Sequence, residues 1–311
     1  MYYEVPAQNG RRYVVTGANS GTGRESARRL ARAGAEVVLA VRSVEKGEEA
    51  RSAILAEAPG ARLEVRRLDL ADLASVREFA ASIAADGAPL GGLVNNAGVM
   101  IPPQRYETAD GFELQFGTNF LGPFALTALL LPKLLESPGA RVATMSSGTA
   151  NWGKIAFDDL NWKRRRFSPQ FSYAQSKLAD LLLARQLAAV AERRGWDLLS
   201  AAAHPGYTRT NLQTAGRNLA READQQLPPV RRTLLPSQDV ETGAEPLLVA
   251  ATSPDAVQGA YYGPGGRLGL VGPTKRMKMP RTARNLEIAA RLWDVAADLT
   301  GTKAVLSQLV S

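Results

Sequence analysis

Tyr173 and Lys177 stand four positions apart at the start of a stretch with helical apolar spacing, since Leu178 is followed by Leu181 and Leu182. Positions i and i+4 share one face of a helix, so the phenol and the ammonium can occupy one small site. A free phenol ionises near pH ~10 and is a weak acid or base at neutral pH. A neighbouring cation favours the phenolate and lowers that value, which would make Tyr173 a proton donor for chemistry at a carbonyl. Alone, the pair favours an amphipathic helix with one aromatic and one solvated lysine, because Tyr-x-x-x-Lys is a short pattern. A second candidate is Ser147, after a short apolar run. No Gly-x-Ser-x-Gly elbow surrounds it, so it fits a hydrogen-bond donor better than a nucleophile. The chain has no cysteine and one histidine, His204, which leaves neither thiol catalysis nor a Cys or His metal cluster. No metal site is expected. The adjacent Asp158 and Asp159 read as loop structure.

The elements that would carry these groups alternate. A β-rich run over 11–16 meets Gly17-Ala18-Asn19-Ser20-Gly21-Thr22-Gly23, and a helical pattern follows to Arg32. Strand, glycine turn and helix form the setting of a dinucleotide site, where glycines admit the pyrophosphate and the helix start supplies amide donors. The spacing is Gly-x-x-x-Gly-x-Gly. A second apolar run over 35–41 ends at Val41, where an acid would hold a ribose 2′-hydroxyl. Arg42 follows instead, and a guanidinium suits a 2′-phosphate. A helix is expected over 43–57, a strand over 61–68 followed by Asp69-Leu70, a helix over 71–85, and a strand over 92–94 followed by Asn95-Asn96-Ala97-Gly98. A long helix lies within 110–135, interrupted near Gly122-Pro123. A strand over 141–145 ends at Ser146-Ser147, and another over 196–203 leads into His204-Pro205-Gly206. A helix over 237–251 carries Pro246, a seventh strand spans 258–262, and a terminal helix spans 281–300. This pattern predicts one α/β domain over 1–311: a Rossmann-type, doubly wound parallel sheet of about seven strands with helices on both faces. Gly17, Arg42, Asp69 and Asn96 all fall at carboxyl ends of strands, where such sheets bind ligands. An irregular insert over 148–171 and a flap over 211–236 would shape the substrate cleft. Trp152, Phe157 and Phe167 of the insert, and Leu212, Leu219, Leu227 and Leu234 of the flap, would give it an apolar lining.

The 311 residues are 45% hydrophobic and 22% charged, with net charge +8, as in an ordinary soluble globular protein. The basic run Lys163 to Arg166 lacks the aromatic interleaving of a nucleic-acid module and is expected to be a solvated loop. No nucleic-acid partner is expected. No run approaches the ~18 apolar residues of a membrane span, and the start of the chain is polar. A cytoplasmic location is the expectation.

Together these residues resemble the short-chain dehydrogenase/reductase family over nearly the whole chain. The resemblance is carried by Thr16 to Gly23, Asn95 to Gly98, Asn119, Ser147, Tyr173-x-x-x-Lys177 and Pro205-Gly206-x-Thr208-x-Thr210. It implies a catalytic tetrad of Asn119, Ser147, Tyr173 and Lys177. Ser147 would polarise the carbonyl, Tyr173 would pass the proton, and Asn119 would hold a relay water. Lys177 would bind the nicotinamide ribose and lower the Tyr173 pKa. It implies cofactor contacts from Gly17, Asn19, Ser20, Gly21, Thr22 and Gly23, from Arg42, Asp69 and Leu70, and from Asn96, Ala97 and Gly98. Pro205, Gly206, Thr208 and Thr210 complete the set, the two threonines at the carboxamide. Phe157 to Asn161, Ser176 to Ala179, Tyr261 to Pro264 and Arg291 to Trp293 resemble the retinol dehydrogenase and protochlorophyllide reductase-like group. That group generally takes NADP(H) rather than NAD(H), in agreement with Arg42. The implied activity interconverts an alcohol and a carbonyl on a small, largely apolar molecule, with room for a homo-oligomer. Thr22 replaces the usual isoleucine of the glycine motif, and Gly91-Gly92 stand where an aspartate is common. The lack of cysteine argues against the photochemical reaction of the protochlorophyllide reductases. A protein of this fold that binds NADP without turnover is the alternative, and it would have no need to keep Tyr173 with Lys177.

Overall fold

The computed structural model describes residues 2–310 apart from 211, 213–215, 217 and 220–234. Eight strands form one sheet: β1 Arg12–Thr16, β2 Glu36–Val41, β3 Arg62–Arg67, β4 Gly92–Asn95, β5 Ala140–Met145, β6 Leu198–Ala203, β7 Tyr261–Pro264 and β8 Thr274–Arg276. Their spatial order is β3-β2-β1-β4-β5-β6-β7-β8. The first seven run parallel, with Val14 opposite both Val38 of β2 and Leu93 of β4. The order reverses between β1 and β4, the switch point at which a doubly wound sheet opens a crevice for ligands. β1 is buried throughout and β2 nearly so, hence their continuous apolar runs.

Two expectations about the sheet are corrected. The strand count is eight rather than about seven, because β8 adds antiparallel to β7 at the edge. It is three residues long, polar and partly exposed, so it carries no apolar pattern. β7 begins at Tyr261 instead of Gln258. Gln258 caps β6 by donating to the Leu198 carbonyl and accepting from the Ser200 amide, and Gly259 turns the chain at positive φ.

Helices cover both faces. On one lie α1 (Gly21–Arg32) and α2 (Val44–Glu57); on the other lie α3 (Leu73–Ala85), α4 (Leu114–Leu135) and α5 (Pro169–Arg194). Returning to the first face, α6 (Val240–Thr252) packs Leu247 and Leu248 against it. It runs through Pro246 and is capped by Asp239, which accepts from the Thr242 amide. The expected terminal helix is shorter: a 3-10 turn at Thr282–Arg284 precedes α7 (Leu286–Thr300), and α8 (Lys303–Val310) follows.

The long helix α4 is continuous through Gly122-Pro123, contrary to the expected interruption. A π-helical turn at Gly117–Leu121 takes up the irregularity instead. Pro123 has no N–H to offer the carbonyl of Asn119 four residues back. α4 is long and apolar enough to cross a membrane by composition, yet almost all of it is buried inside the protein. Its phenylalanines make a ladder, with ring centroids 5.2 Å apart for Phe116–Phe120 and 5.9 Å for Phe120–Phe124; Phe124 meets Trp293 of α7 edge-on at 5.0 Å. That ladder packs α4 against α7.

Candidate active site

α5 starts where Ser168 caps its first turn and Pro169 supplies a preset φ. It runs 26 residues, most of the middle buried, which commits the face carrying Tyr173 and Lys177 to the protein interior. Ser146 ties this helix to the end of β5 by donating to the Lys177 carbonyl at 2.7 Å. The Lys177 ammonium turns back to the same strand end, donating to the Met145 carbonyl at 2.9 Å and to Asp180 Oδ2 at 2.8 Å. Ser147 follows Met145 by two residues. Its hydroxyl accepts from the Thr149 amide at 3.2 Å and lies near enough to the Tyr173 phenol to favour its ionised form. Ser147, Tyr173 and Lys177 therefore meet at the carboxyl end of β5.

The electrostatics differ from the simple expectation of a lowered phenol. Burial pushes the Tyr173 phenol up, Lys177 and the neighbouring Ser147 hydroxyl pull it down, and Asp180 pushes it up again; the net direction is upward. Burial disfavours the Lys177 ammonium, but the Asp180 carboxylate and Tyr173 outweigh it and hold the cation in place. Burial pushes the Asp180 carboxyl up, to about 7, against the pull of Lys177. The cation beside Tyr173 is thus matched by a buried anion, a pairing absent from the sequence reading.

Asn119 sits in the π-helical turn, a local irregularity that often marks a working site. Its Oδ1 accepts from the Val99 amide at 2.7 Å, and its Nδ2 donates to the Val99 carbonyl at 3.0 Å and to Ser176 Oγ at 2.9 Å. Both amide hydrogens are thereby engaged. Ser176 in turn donates to the Tyr173 carbonyl at 2.8 Å, so Asn119 joins the loop after β4 to α5. Gly98 fits between: a Cβ there would stand 3.0 Å from Asn119 Oδ1 and 3.7 Å from Lys177 Nζ.

At the switch point the glycine turn and the Asn95-Asn96-Ala97-Gly98 loop interlock. Thr16 Oγ1 accepts from the amides of Asn96 and Ala97, both at 3.0 Å, and Asn96 Nδ2 donates to the Thr16 carbonyl at 3.0 Å. Thr22, the residue in place of isoleucine, donates to Asn96 Oδ1 at 2.8 Å. Gly17 adopts φ 65°, and a Cβ on it would lie 3.0 Å from Ala97. A Cβ on Gly23 would collide with the Asn96 amide and the Gly17 carbonyl. Ser20 precedes α1 in extended backbone without a side-chain cap, and no acid occupies the first turn, so the helix start is open to an anion. Asn19 and Ser20 are half-buried in this turn, and Thr210 lies beside Gly21. A cavity against the helix start is lined by Gly21, Arg24, Arg209 and Asp239.

Arg42 follows β2, is exposed, and enters no ion pair among the described residues. Asp69 lies past β3, its Oδ1 accepting from the Ala71 amide at 2.9 Å, while the Leu70 side chain is turned into the core. Gly206 has φ 63°, and Thr208 is buried with its hydroxyl donating to the Pro205 carbonyl. The predicted site residues therefore lie along the carboxyl ends of the parallel strands, from Arg42 past β2 and Asp69 past β3 to Ser147 past β5 and Gly206 past β6, with Tyr173 on α5 beside Ser147. The side chains of Leu70 and Thr208 are engaged elsewhere.

The insert departs from its expected apolar lining. Phe157 lies beneath the Arg291 guanidinium at 4.0 Å, and Phe167 packs edge-on to Trp162 at 6.0 Å; Trp152 is 73% exposed. Asp159 accepts from the amides of Lys163, Arg164 and Arg165, and Arg165 stacks on Trp162 at 3.5 Å, so the basic run is a loop folded on its own acid. Within the flap, Leu227 and Leu234 lie outside the described residues. Sequence reasoning missed Asp180 and the Tyr261 hydroxyl, which donates to the Ser147 carbonyl at 3.3 Å. The i+3 spacing from Lys177 was the signal for Asp180; Tyr261 stood within a stretch that carried the resemblance, but nothing local placed its hydroxyl at Ser147.

Residues 11–219 match the family model described as short chain dehydrogenase. Retinol dehydrogenase 13 of Homo sapiens is 38% identical over 95% of this chain and 86% of its own length. Polyprenol dehydrogenase of Mus musculus is 43% identical over 96% of this chain and 86% of its own. The crystal structure of an uncharacterised protein from Mycobacterium Paratuberculosis superposes with TM-score 0.77 at 40% identity, covering 97% of this chain and 98% of that one. A short chain dehydrogenase from Escherichia coli CFT073, complexed with NADPH, superposes with TM-score 0.55 at 27% identity, covering 72% and 86%.

Proposed function

The chain belongs to the short chain dehydrogenase family, in its retinol dehydrogenase group, and is an oxidoreductase of alcohol and carbonyl groups, and on that premise we propose that it uses NADP(H), acts on a largely apolar alcohol or its carbonyl, and moves the proton through Tyr173. The convergence of Ser147, Tyr173 and Lys177 at the end of β5 carries this reading.

The crevice fits a dinucleotide phosphate on three counts: an uncapped helix start, a glycine cradle that side chains would fill, and a guanidinium at Arg42 with no acid paired to it among the described residues. Gly17 to Gly23 would hold the pyrophosphate, Arg42 the 2′-phosphate, and Asn96 to Gly98 the adjacent ribose. Bound there, NADP(H) supplies or accepts the hydride. The NADPH-bound structural relative supports the same cofactor.

In reduction, negative charge grows on the carbonyl oxygen, and the hydroxyls of Ser147 and Tyr173 donate to it. Tyr173 then releases its proton. Lys177 lowers the cost of the phenolate left behind, the direction its charge exerts on Tyr173. Two of the three ammonium donors are used by Met145 and Asp180, leaving one for the nicotinamide ribose. Because the Asn119 side chain is engaged and Pro123 offers its carbonyl no N–H, that carbonyl is the group we assign to a relay water. The names of the relatives, a retinol and a polyprenol dehydrogenase, support an extended apolar alcohol as substrate.

The test is a panel of terpenoid, aromatic and long-chain aldehydes beside small charged keto acids, followed by NADPH absorbance. Turnover of the apolar members is expected; turnover of the keto acids alone would overturn the substrate class.

A further inference from the structure

Asp180 is a buried carboxylate that the proposed chemistry does not use. It lies on α5 three residues beyond Lys177 and is 1% exposed. Its Oδ2 takes the Lys177 ammonium at 2.8 Å, and its Oδ1 is buried without a hydrogen-bond partner. Lys177 already has an anchor in the Met145 carbonyl, so the carboxylate is not needed merely to give the ammonium a place. Burying an acid usually carries a penalty of several kcal/mol unless a close partner offsets it. An acid kept here acts on whatever Lys177 acts on.

We propose that Asp180 is a positioning residue of the reaction: it clamps Lys177 against the end of β5 and offsets the charge that the ammonium presents to Tyr173. The inference rests on the reading of Tyr173 as the proton-transfer group.

The surroundings make the effect separable. From α5 the phenol is faced by Lys177 and Asp180, from the end of β5 by the neutral Ser147, and from β7 by the Tyr261 phenol. His204 stacks on Tyr261 at 5.1 Å between centroids, and burial lowers its pKa to about 4, so it is neutral. Across from α5 the loop after β4 brings the uncharged Gly98 beside the ammonium, with the neutral Asn119 next to it. Lys177 and Asp180 are thus the charged pair that sets the field at Tyr173. The Asp180 charge acts upward on the phenol, opposite to Lys177. An intact pair keeps Tyr173 in its acid form to higher pH, which favours carbonyl reduction over alcohol oxidation at neutral pH. Removing the anion takes away its upward push, and with the ammonium still bound to the Met145 carbonyl the phenol falls.

The experiment compares wild type, Asp180→Asn and Asp180→Ser as holoenzymes. The pH dependence of kcat/KM is measured in both directions, and Tyr173 is titrated by tyrosinate absorbance against the matching Tyr173→Phe protein. The alcohol-oxidation limb, which rises as the phenolate forms, should move to lower pH by about one unit or more in both variants. The reduction limb, which falls as the phenol is lost, should move with it. Asp180→Ser leaves room for a water and keeps the test if the amide variant does not fold. A wild-type limb that vanishes in Tyr173→Phe but is unmoved in the Asp180 variants, with only a lowered Tm, would reject Asp180 in this role. A limb that survives Tyr173→Phe would overturn the proton-transfer reading and this inference with it.

Discussion

In the proposed reading Arg42 sets the preference between NADP(H) and NAD(H), and its surroundings set the size of the effect. It follows Val41, a residue 1% exposed at the end of β2, at the place where an acid would take a ribose 2′-hydroxyl. The guanidinium is exposed and meets no acid within ion-pair distance among the described residues, so a phosphate does not have to displace a partner. An exposed charge pair contributes up to ~1 kcal/mol, and hydrogen bonds to charged groups ~1.5–3 kcal/mol. With ~1.4 kcal/mol per tenfold, Arg42→Ala should weaken NADPH binding about tenfold and leave NADH within about twofold. Arg42→Asp adds repulsion toward the phosphate and restores an acceptor for the 2′-hydroxyl, so it should invert the preference. Because the site is open to solvent, the wild-type advantage for NADPH should shrink as salt is raised. Fluorescence titration of both cofactors at two ionic strengths measures all of this. Wild type binding NADH more tightly than NADPH, or Arg42→Ala leaving the ratio unchanged, would refute the argument.

Gly23→Ala forces a Cβ against the Asn96 amide and the Gly17 carbonyl, so NADPH affinity should fall by more than about tenfold in the same titration. Ser176→Ala leaves one Asn119 amide hydrogen without its acceptor, so kcat should fall about tenfold with NADPH affinity kept; equal kcat would show that this link does not position the site. Phe124→Ala empties the ladder between Phe120 and Trp293 and should cost about 3–5 kcal/mol, read as a Tm lower by roughly 5–10 °C with the NADPH preference unchanged.

Features with a local period were legible in the sequence. The glycine turn, the Tyr173–Lys177 spacing and the strand–helix alternation each depend on neighbours within a few residues, and they place most of the crevice. What failed depends on distant partners. β8 has three polar residues and exists because β7 offers it an edge. Phe157 and Phe167 look like cleft lining until Arg291 and Trp162 are seen to cover them. The α4 irregularity was expected at Gly122-Pro123, yet the helix absorbs it one turn earlier as a π turn around Asn119. Asp180 was in plain view, three residues after Lys177, but its meaning comes from burial that no spacing reports. Tyr261 reaches Ser147 across 114 positions of sequence through the order of the strands.

The central claim is that Tyr173 transfers the proton. Tyr173→Phe keeps the ring and its packing and removes only the hydroxyl. Steady-state turnover of this variant with an apolar aldehyde, beside NADPH titration, is the most direct test. The account predicts NADPH affinity within about threefold of wild type and a kcat lower by ~10²–10⁴, the loss expected for a positioned general acid. A Tyr173→Phe enzyme turning over within a few-fold of wild type would contradict it.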